Sequence, residues 1–296
     1  MDALLDAALA GETRTIVVVG TAKNVGKTVA FNALRALAAR RGLVGAITSI
    51  GRDGEAADAL DGAEKPRVRV EAGTLVALPR ELVPRTPALE IVDIGEASAL
   101  GRIVFARARY GATCEIGGPP TARAVRATID RLAELTTGPV FVDGAIDRIA
   151  PLAGGRREAI VLATGAASGA NVAAVAEIAR STVARLTLPG RDPQHERGRV
   201  VTIAGALDAR VAQDLLASVS GTTVVVTDPT RIAIRGRLFD ALLAAVDLRC
   251  ERPLHVVACT SSSVGPGRAL DPRELVRAVA AATRLPTFDV VAGLAA

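Results

Sequence analysis

The run Thr15 to Thr28, Thr-Ile-Val-Val-Val-Gly-Thr-Ala-Lys-Asn-Val-Gly-Lys-Thr, constrains the fold more than any other stretch. Four β-branched residues, Ile16 to Val19, set a buried strand. A glycine-bounded loop follows, and the Ala-rich segment from Val29 to Ala39 suits a helix. In that strand, loop and helix context, backbone amides turn toward one point at the helix amino end and favour a polyanion. The spacing predicts a nucleoside-triphosphate loop over Gly20, Thr21, Ala22, Lys23, Asn24, Val25, Gly26, Lys27 and Thr28, with Lys27 reaching the β- and γ-phosphates and the Thr28 hydroxyl reaching Mg²⁺. The loop is a longer variant, because the residue five places before Gly26 is Thr21 and the glycine sits one earlier.

Composition supports reading the loop as chemistry. The chain has 36 Lys and Arg together, yet its lysines are only Lys23, Lys27 and Lys65. A chain that uses arginine for ordinary positive charge has placed two compact ammonium groups in one loop. Half of the 296 residues are hydrophobic but only 2% are aromatic, which fits small residues packing in repeated β-α units and argues against base-stacking nucleic-acid platforms. The net charge of +5 comes from scattered arginines without a long like-charge run, so a solvated surface is expected and a nucleic-acid partner is not. Cys114, Cys250 and Cys259 lack Cys-x-x-Cys spacing and His195 and His255 stand alone, so no zinc site or disulfide framework is expected. The amino end has no basic flank and no stretch has the length of a membrane span, which leads to the expectation of a cytoplasmic protein.

Strand signals alternate with helical segments, the pattern of an α/β fold whose largely parallel sheet is flanked by helices. Strands are expected at Val44 to Ile50, Val68 to Val70, Thr74 to Leu78, Leu89 to Ile94, Ile103 to Ala108, Val140 to Val142 and Ala159 to Ala163, with helices over Pro120 to Leu135 and Ala170 to Ala184. The irregular interval from Ala56 to Thr113 reads as a β-rich insertion over the mouth of the site. Pro189 to Arg199 reads as a linker. A boundary near residue 195 would separate a nucleotide-binding unit, 1–195, from a smaller α/β unit, 196–296, whose other reading is an extension of the first sheet.

Asp143 ends an apolar strand and is the candidate second Mg²⁺ ligand. Asp53 ends the second strand on the same edge, where it would hold Mg²⁺ through water or orient the attacking water; an Asp-Gly turn explains it equally well. Lys23 would neutralise γ-phosphate charge or is an exposed loop lysine. Asp147 and Glu115 read as structural. No Asn-Lys-x-Asp or Thr-Lys-x-Asp segment reads guanine, so ATP is the expected nucleotide.

The segment Gly20 to Val29 resembles the loop of the dethiobiotin-synthase-like P-loop group, and Asp143-Gly144-Ala145 is similar to that group's acid-Gly-Ala turn. The resemblance spans about residues 14–190 and implies a parallel-sheet ATPase core. A narrower set resembles the P-loop subunit of the lysine 5,6-aminomutase reactivase. It comprises Ala22-Lys23-Asn24, Thr48 to Glu55, Glu64-Lys65-Pro66-Arg67, Gly73-Thr74-Leu75, Asp143 to Arg148, Ala163 to Ala166 and Pro286 to Val291. Thr260 to Gly267 departs from that family, which has an Asn-Pro-containing turn there. Membership implies a cytoplasmic ATPase chaperone that works with a second, MutS-like ATPase subunit. Together they would restore an adenosylcobalamin- and pyridoxal-phosphate-dependent lysine or ornithine aminomutase, with Asp53, Lys65 and the 56–113 segment sensing the terminal phosphate. A homodimer stays open. The competing reading is a stand-alone ATP-dependent ligase that activates a carboxylate or carbamate. A GTPase for metal delivery lacks its Cys and His clusters, and an amidoligase lacks its Gly-x-Cys-x-Gly elbow.

Overall fold

A computed structural model describes residues 1–50, 68–98, 101–144, 149–153, 158–196, 198–218 and 221–296. Helix α1 (Asp2–Ala8) precedes β1 (Thr15–Gly20), α2 (Lys27–Arg40) and β2 (Ala46–Ser49). Next come β3 (Val68–Val70), β4 (Leu75–Pro79), β5 (Leu89–Ser98), β6 (Gly101–Ala108) and β7 (Ala112–Cys114). Helix α3 (Ala122–Leu135), β8 (Val140–Asp143), β9 (Glu158–Gly165) and α4 (Val172–Leu186) complete the first part. A small unit follows: β10 (Val200–Ile203), α5 (Ala209–Ser218), β11 (Thr223–Val226), α6 (Gly236–Ala245) and β12 (Asp247–Cys250). The chain closes with β13 (Val256–Ser262), β14 (Val264–Gly265), β15 (Arg268–Ala269), α7 (Pro272–Thr283), β16 (Thr287–Asp289) and β17 (Leu294–Ala295).

A ten-stranded sheet runs in the order β17-β16-β13-β9-β1-β8-β2-β4-β6-β5. From β16 to β4 every adjacent pair is parallel; β17, and β6 with β5, add antiparallel edges. Alternation within the parallel strands sorts side chains to two faces. Ile16 and Val18 pack with α1 and α2 around Phe31, whereas Val17 and Val19 pack with α3, α4 and α7. Both faces are covered, which is why these strands read as continuous apolar runs. Helix α3 starts at the Thr121 cap, whose side chain accepts from Ala124 N, so Pro120 lies one residue before the cap instead of in the first turn.

Two expectations are redrawn. The strands between Leu75 and Ala108 extend the sheet edge beyond β2, because β4 pairs with β2 and with the antiparallel β6, and residues 56–67 of the expected insertion lie outside the described residues. Residues 196–296 are distributed over two sheets: β10, β11 and β12 form a parallel three-stranded sheet, while β13, β16 and β17 join the large one. The physical reason is the apolar face of α7, whose Leu275 and Val279 share a core with Val17 and Leu162. Among the described residues, no helix is long and apolar enough to cross a membrane.

Candidate functional site

Strand β1 lies between β8 and β9, and the chain leaves it through α2 toward β2 on one side while β9 lies on the other. That reversal opens a crevice at the carboxyl edge, the place where open α/β sheets bind ligands. Gly20 ends β1 there. A Cβ at Gly20 would come within 3.0 Å of Val25 Cγ2 and 3.2 Å of the Ala22 carbonyl, so the loop closes tightly only on a glycine. Val25, 2% exposed, anchors the loop from inside, while Ala22, Lys23 and Asn24 face solvent. Thr21 ties it to β9: its N–H donates to the Ala163 carbonyl at 2.9 Å and its hydroxyl to Thr164 Oγ1 at 3.2 Å.

Gly26 is the cap residue of α2 and adopts φ +84°, a left-handed conformation that favours glycine. No side chain caps that helix end, so its first amides keep their capacity for an outside acceptor. Lys27 and Thr28 open the helix, both half-buried. The Lys27 ammonium folds onto the sheet edge, 2.9 Å from Asp143 Oδ1 and donating to the Gly144 carbonyl at 3.2 Å. Asp143 reaches that point because β8 pairs with β1 in register, Val18 opposite Asp143, and Gly144 N donates to the Val18 carbonyl. Ser49 Oγ donates to the Asp143 carbonyl from β2. Gly144 has no space for a side chain, since a Cβ would lie 2.9 Å from Val17 Cγ1 and 3.0 Å from Val19 Cγ1.

The structure thus brings together Gly20, Thr21, Val25, Gly26, Lys27, Thr28 and Asp143. Lys23 is exposed on the same loop, and Asp53, Lys65 and Asp147 lie outside the described residues. Glu115 pairs with Arg85 at 3.1 Å, a surface contact. His195 meets Asp192, and His255 is exposed. Burial pushes the three thiols up, Cys114 and Cys259 to about 11 and Cys250 to about 12, which suits packing and not nucleophilic chemistry.

Sequence reading missed the neighbours of the loop on β9 and β13. Thr164 Oγ1 is also 3.3 Å from Ser168 Oγ, and the latter donates to the Gly165 carbonyl. Ser262 lies against Gly26: a Cβ there would be 3.0 Å from the Ser262 Cβ. The available signal was positional, a cluster of small hydroxyl residues where β9, next to β1, and its parallel neighbour β13 end.

Uncapped helix amides, an ammonium and a carboxylate within one crevice can hold a polyanion and a cation side by side. The class defined by the fold is a mixed α/β protein with a large, largely parallel central sheet flanked by helices. Comparison with family models, with curated proteins and with solved structures finds no match.

Proposed function

We propose that this chain is a P-loop ATPase, and that its ATP cycle serves as the reactivase step for a cobalamin- and pyridoxal-phosphate-dependent aminomutase. The observation that carries the first part is the meeting of Lys27, on the uncapped first turn of α2, with Asp143 at 2.9 Å. The residues fit the ligands: the amides of 21–28 and the Lys27 ammonium suit the phosphates, and the Thr28 hydroxyl with the Asp143 carboxylate suits Mg²⁺. Mg²⁺ supplies neutralisation of phosphate charge when bound. Lys27 orients the terminal phosphates and exchanges its carboxylate partner for them. The Gly20 and Gly26 backbone holds the loop in that shape, and Thr21 anchors it to β9.

The narrower reading rests on the sequence resemblance. A reactivase needs only a different affinity for its client in the two nucleotide states, because a ligand shifts a conformation only through differential binding.

Calorimetry of the full chain with MgATP tests the core reading: the wild type binds, and Lys27→Ala loses at least tenfold in affinity. Folded wild-type chain that gives no heat with ATP or GTP overturns it. Recovery of an inactivated aminomutase, assayed with the MutS-like subunit, tests the narrower reading, which fails if ATP binds and recovery is the same with Lys27→Ala.

A further inference from the structure

The ten-stranded sheet ends on β5, and among the described residues no strand pairs with its outer side. An open edge of this kind offers unpaired N–H and C=O groups to another chain. Strand β5 also exposes Ile91, Val92 and Ile94, more large apolar side chains than any other described strand exposes. Single exposed apolar residues are ordinary, but a contiguous set on one edge marks a contact surface.

The two faces of this edge differ. Ile91 stands opposite Ala106 and Ile94 opposite Val104, on the face of the sheet that carries α1 and α2. Asp93 stands opposite Phe105, on the other face. There β5 and α3 leave a cleft of about 310 Å³, floored by Phe105, Ala124 and Ala127 and reached by Glu96. Gly95 lets β5 lie close to that floor, since a Cβ would come within 3.1 Å of Phe105 Cε2. The cleft carries an excess of negative charge. Arg131 of α3 bonds Asp93 at 2.7 Å and Glu134 at 2.8 Å, so its one positive charge is shared by two carboxylates. Exposed Glu96 has no cation partner among the described residues. Strand β5 also slips against β6 after Ile91 and after Ile94. Such bulges keep an edge from pairing indiscriminately, which leaves recognition to the side chains.

We propose that the outer edge of β5 is a docking surface for an extended segment of a partner protein in which apolar and basic residues alternate. An added strand sends successive side chains to opposite faces, so its apolar residues cover Ile91 and Ile94 while its basic ones enter the cleft toward Glu96. A small molecule in the cleft would leave the isoleucines on the far face uncovered. A second copy of this edge would set Glu90, Asp93 and Glu96 against their own kind, whereas a basic segment complements them. This surface is built by β5, β6 and α3 and does not rest on the nucleotide reading.

The test titrates the full chain into a fluorescently labelled synthetic peptide of alternating lysine and valine, at constant ionic strength, and reads anisotropy. Saturable one-to-one binding is expected, at least tenfold tighter than to the same peptide with glutamate for lysine. Glu96→Lys and Ile94→Lys each weaken it at least tenfold. Both side chains are exposed, so the variants keep the wild-type urea midpoint. Glu251→Lys, an exposed carboxylate beyond the small sheet, makes the same change in net charge as Glu96→Lys and leaves binding within twofold. Absence of saturable binding, equal binding of the glutamate peptide, or binding unchanged by Glu96→Lys or by Ile94→Lys overturns the proposal. Sedimentation of the chain alone completes the test: a dimer that Ile94→Lys dissolves would assign the edge to a second copy and overturn it as well.

Discussion

At the scale of single residues, the proposed nucleotide site makes the Lys27–Asp143 pair the point where metal and phosphate would be coupled. Each group is held by the other at 2.9 Å, with side chains 24% and 18% exposed. Metal-free ATP would draw Lys27 away and bring negative charge beside the Asp143 carboxylate, so the phosphates and the cation are expected to bind cooperatively. Asp143→Asn removes that opposition. ATP affinity measured in EDTA should stay equal to wild type or rise, by up to about tenfold, equivalent to about 1.4 kcal/mol. Affinity with Mg²⁺ should fall, so the ratio of the two affinities collapses. A ratio unchanged by the substitution would sink this coupling. Gly144 is the companion case. An alanine Cβ would press on Val17 and Val19 in the main core, at an expected cost of about 1–3 kcal/mol from overpacking, read as a lower urea midpoint. The local form of Gly20 to Thr28, a strand end, a glycine turn and a helix start, was legible in the sequence because every residue of it is local. The Ser262 contact was not, since it joins residues more than 200 positions apart through a sheet order that no local pattern encodes.

At the scale of elements, legibility followed burial. Strands β1, β8 and β9 are apolar on both faces and read directly, as did the helices at α3 and α4. Strand β12, Asp-Leu-Arg-Cys, was missed because four residues of alternating burial carry too little signal between two loops. Helix α1 was missed because the sequence reading treated the amino end only as a possible targeting segment, although Leu4, Leu5 and Ala8 are fully buried on one side. The 196–296 division was drawn at a stretch rich in Pro, Gly and charge, but β13 pairs with β9 in the register Cys259 opposite Leu162, which needs a partner outside the C-terminal stretch. Helix α7 delivers that return. Its Asp271 side chain accepts from Glu274 N at 2.8 Å, and Pro272 sits in the first turn. Asp271→Ala should destabilise the fold by about 1 kcal/mol through the lost cap, whereas Asp271→Ser should recover most of it. Equal urea midpoints for alanine and wild type would refute a capping role.

At the scale of the whole molecule, the described residues form three buried apolar clusters, and each holds one of the three cysteines. Cys259 sits under α7, Cys114 on the α2 side, and Cys250 in the smallest cluster, around β11 and α6. Burial raises all three thiols from 9.0, to about 11, 11 and 12. The sign of the pH effect follows: below pH 9 folded and unfolded chains both carry the proton, and above it the unfolded chain loses it first. The contribution of the thiols is therefore complete below about pH 9 and is lost as pH climbs through 11 to 12, with Cys250 contributing the largest total because its window is widest. Urea midpoints at pH 8 and pH 10 should differ, and Cys250→Ala should narrow the difference. The same thiols report whether the molecule opens as one body. The small sheet has its own core and buries fewer apolar residues than either face of the large one, so it is expected to open at lower free energy. Its chain enters after α4, tied by Arg180 to Asp240, and leaves into β13, so local opening leaves the ten-stranded hydrogen bonding in place. Labelling with a thiol reagent across a urea series, read by peptide mass, should modify Cys250 at a lower denaturant concentration than Cys114 or Cys259. Simultaneous modification of all three would mean that α4 couples the two sheets into a single cooperative unit.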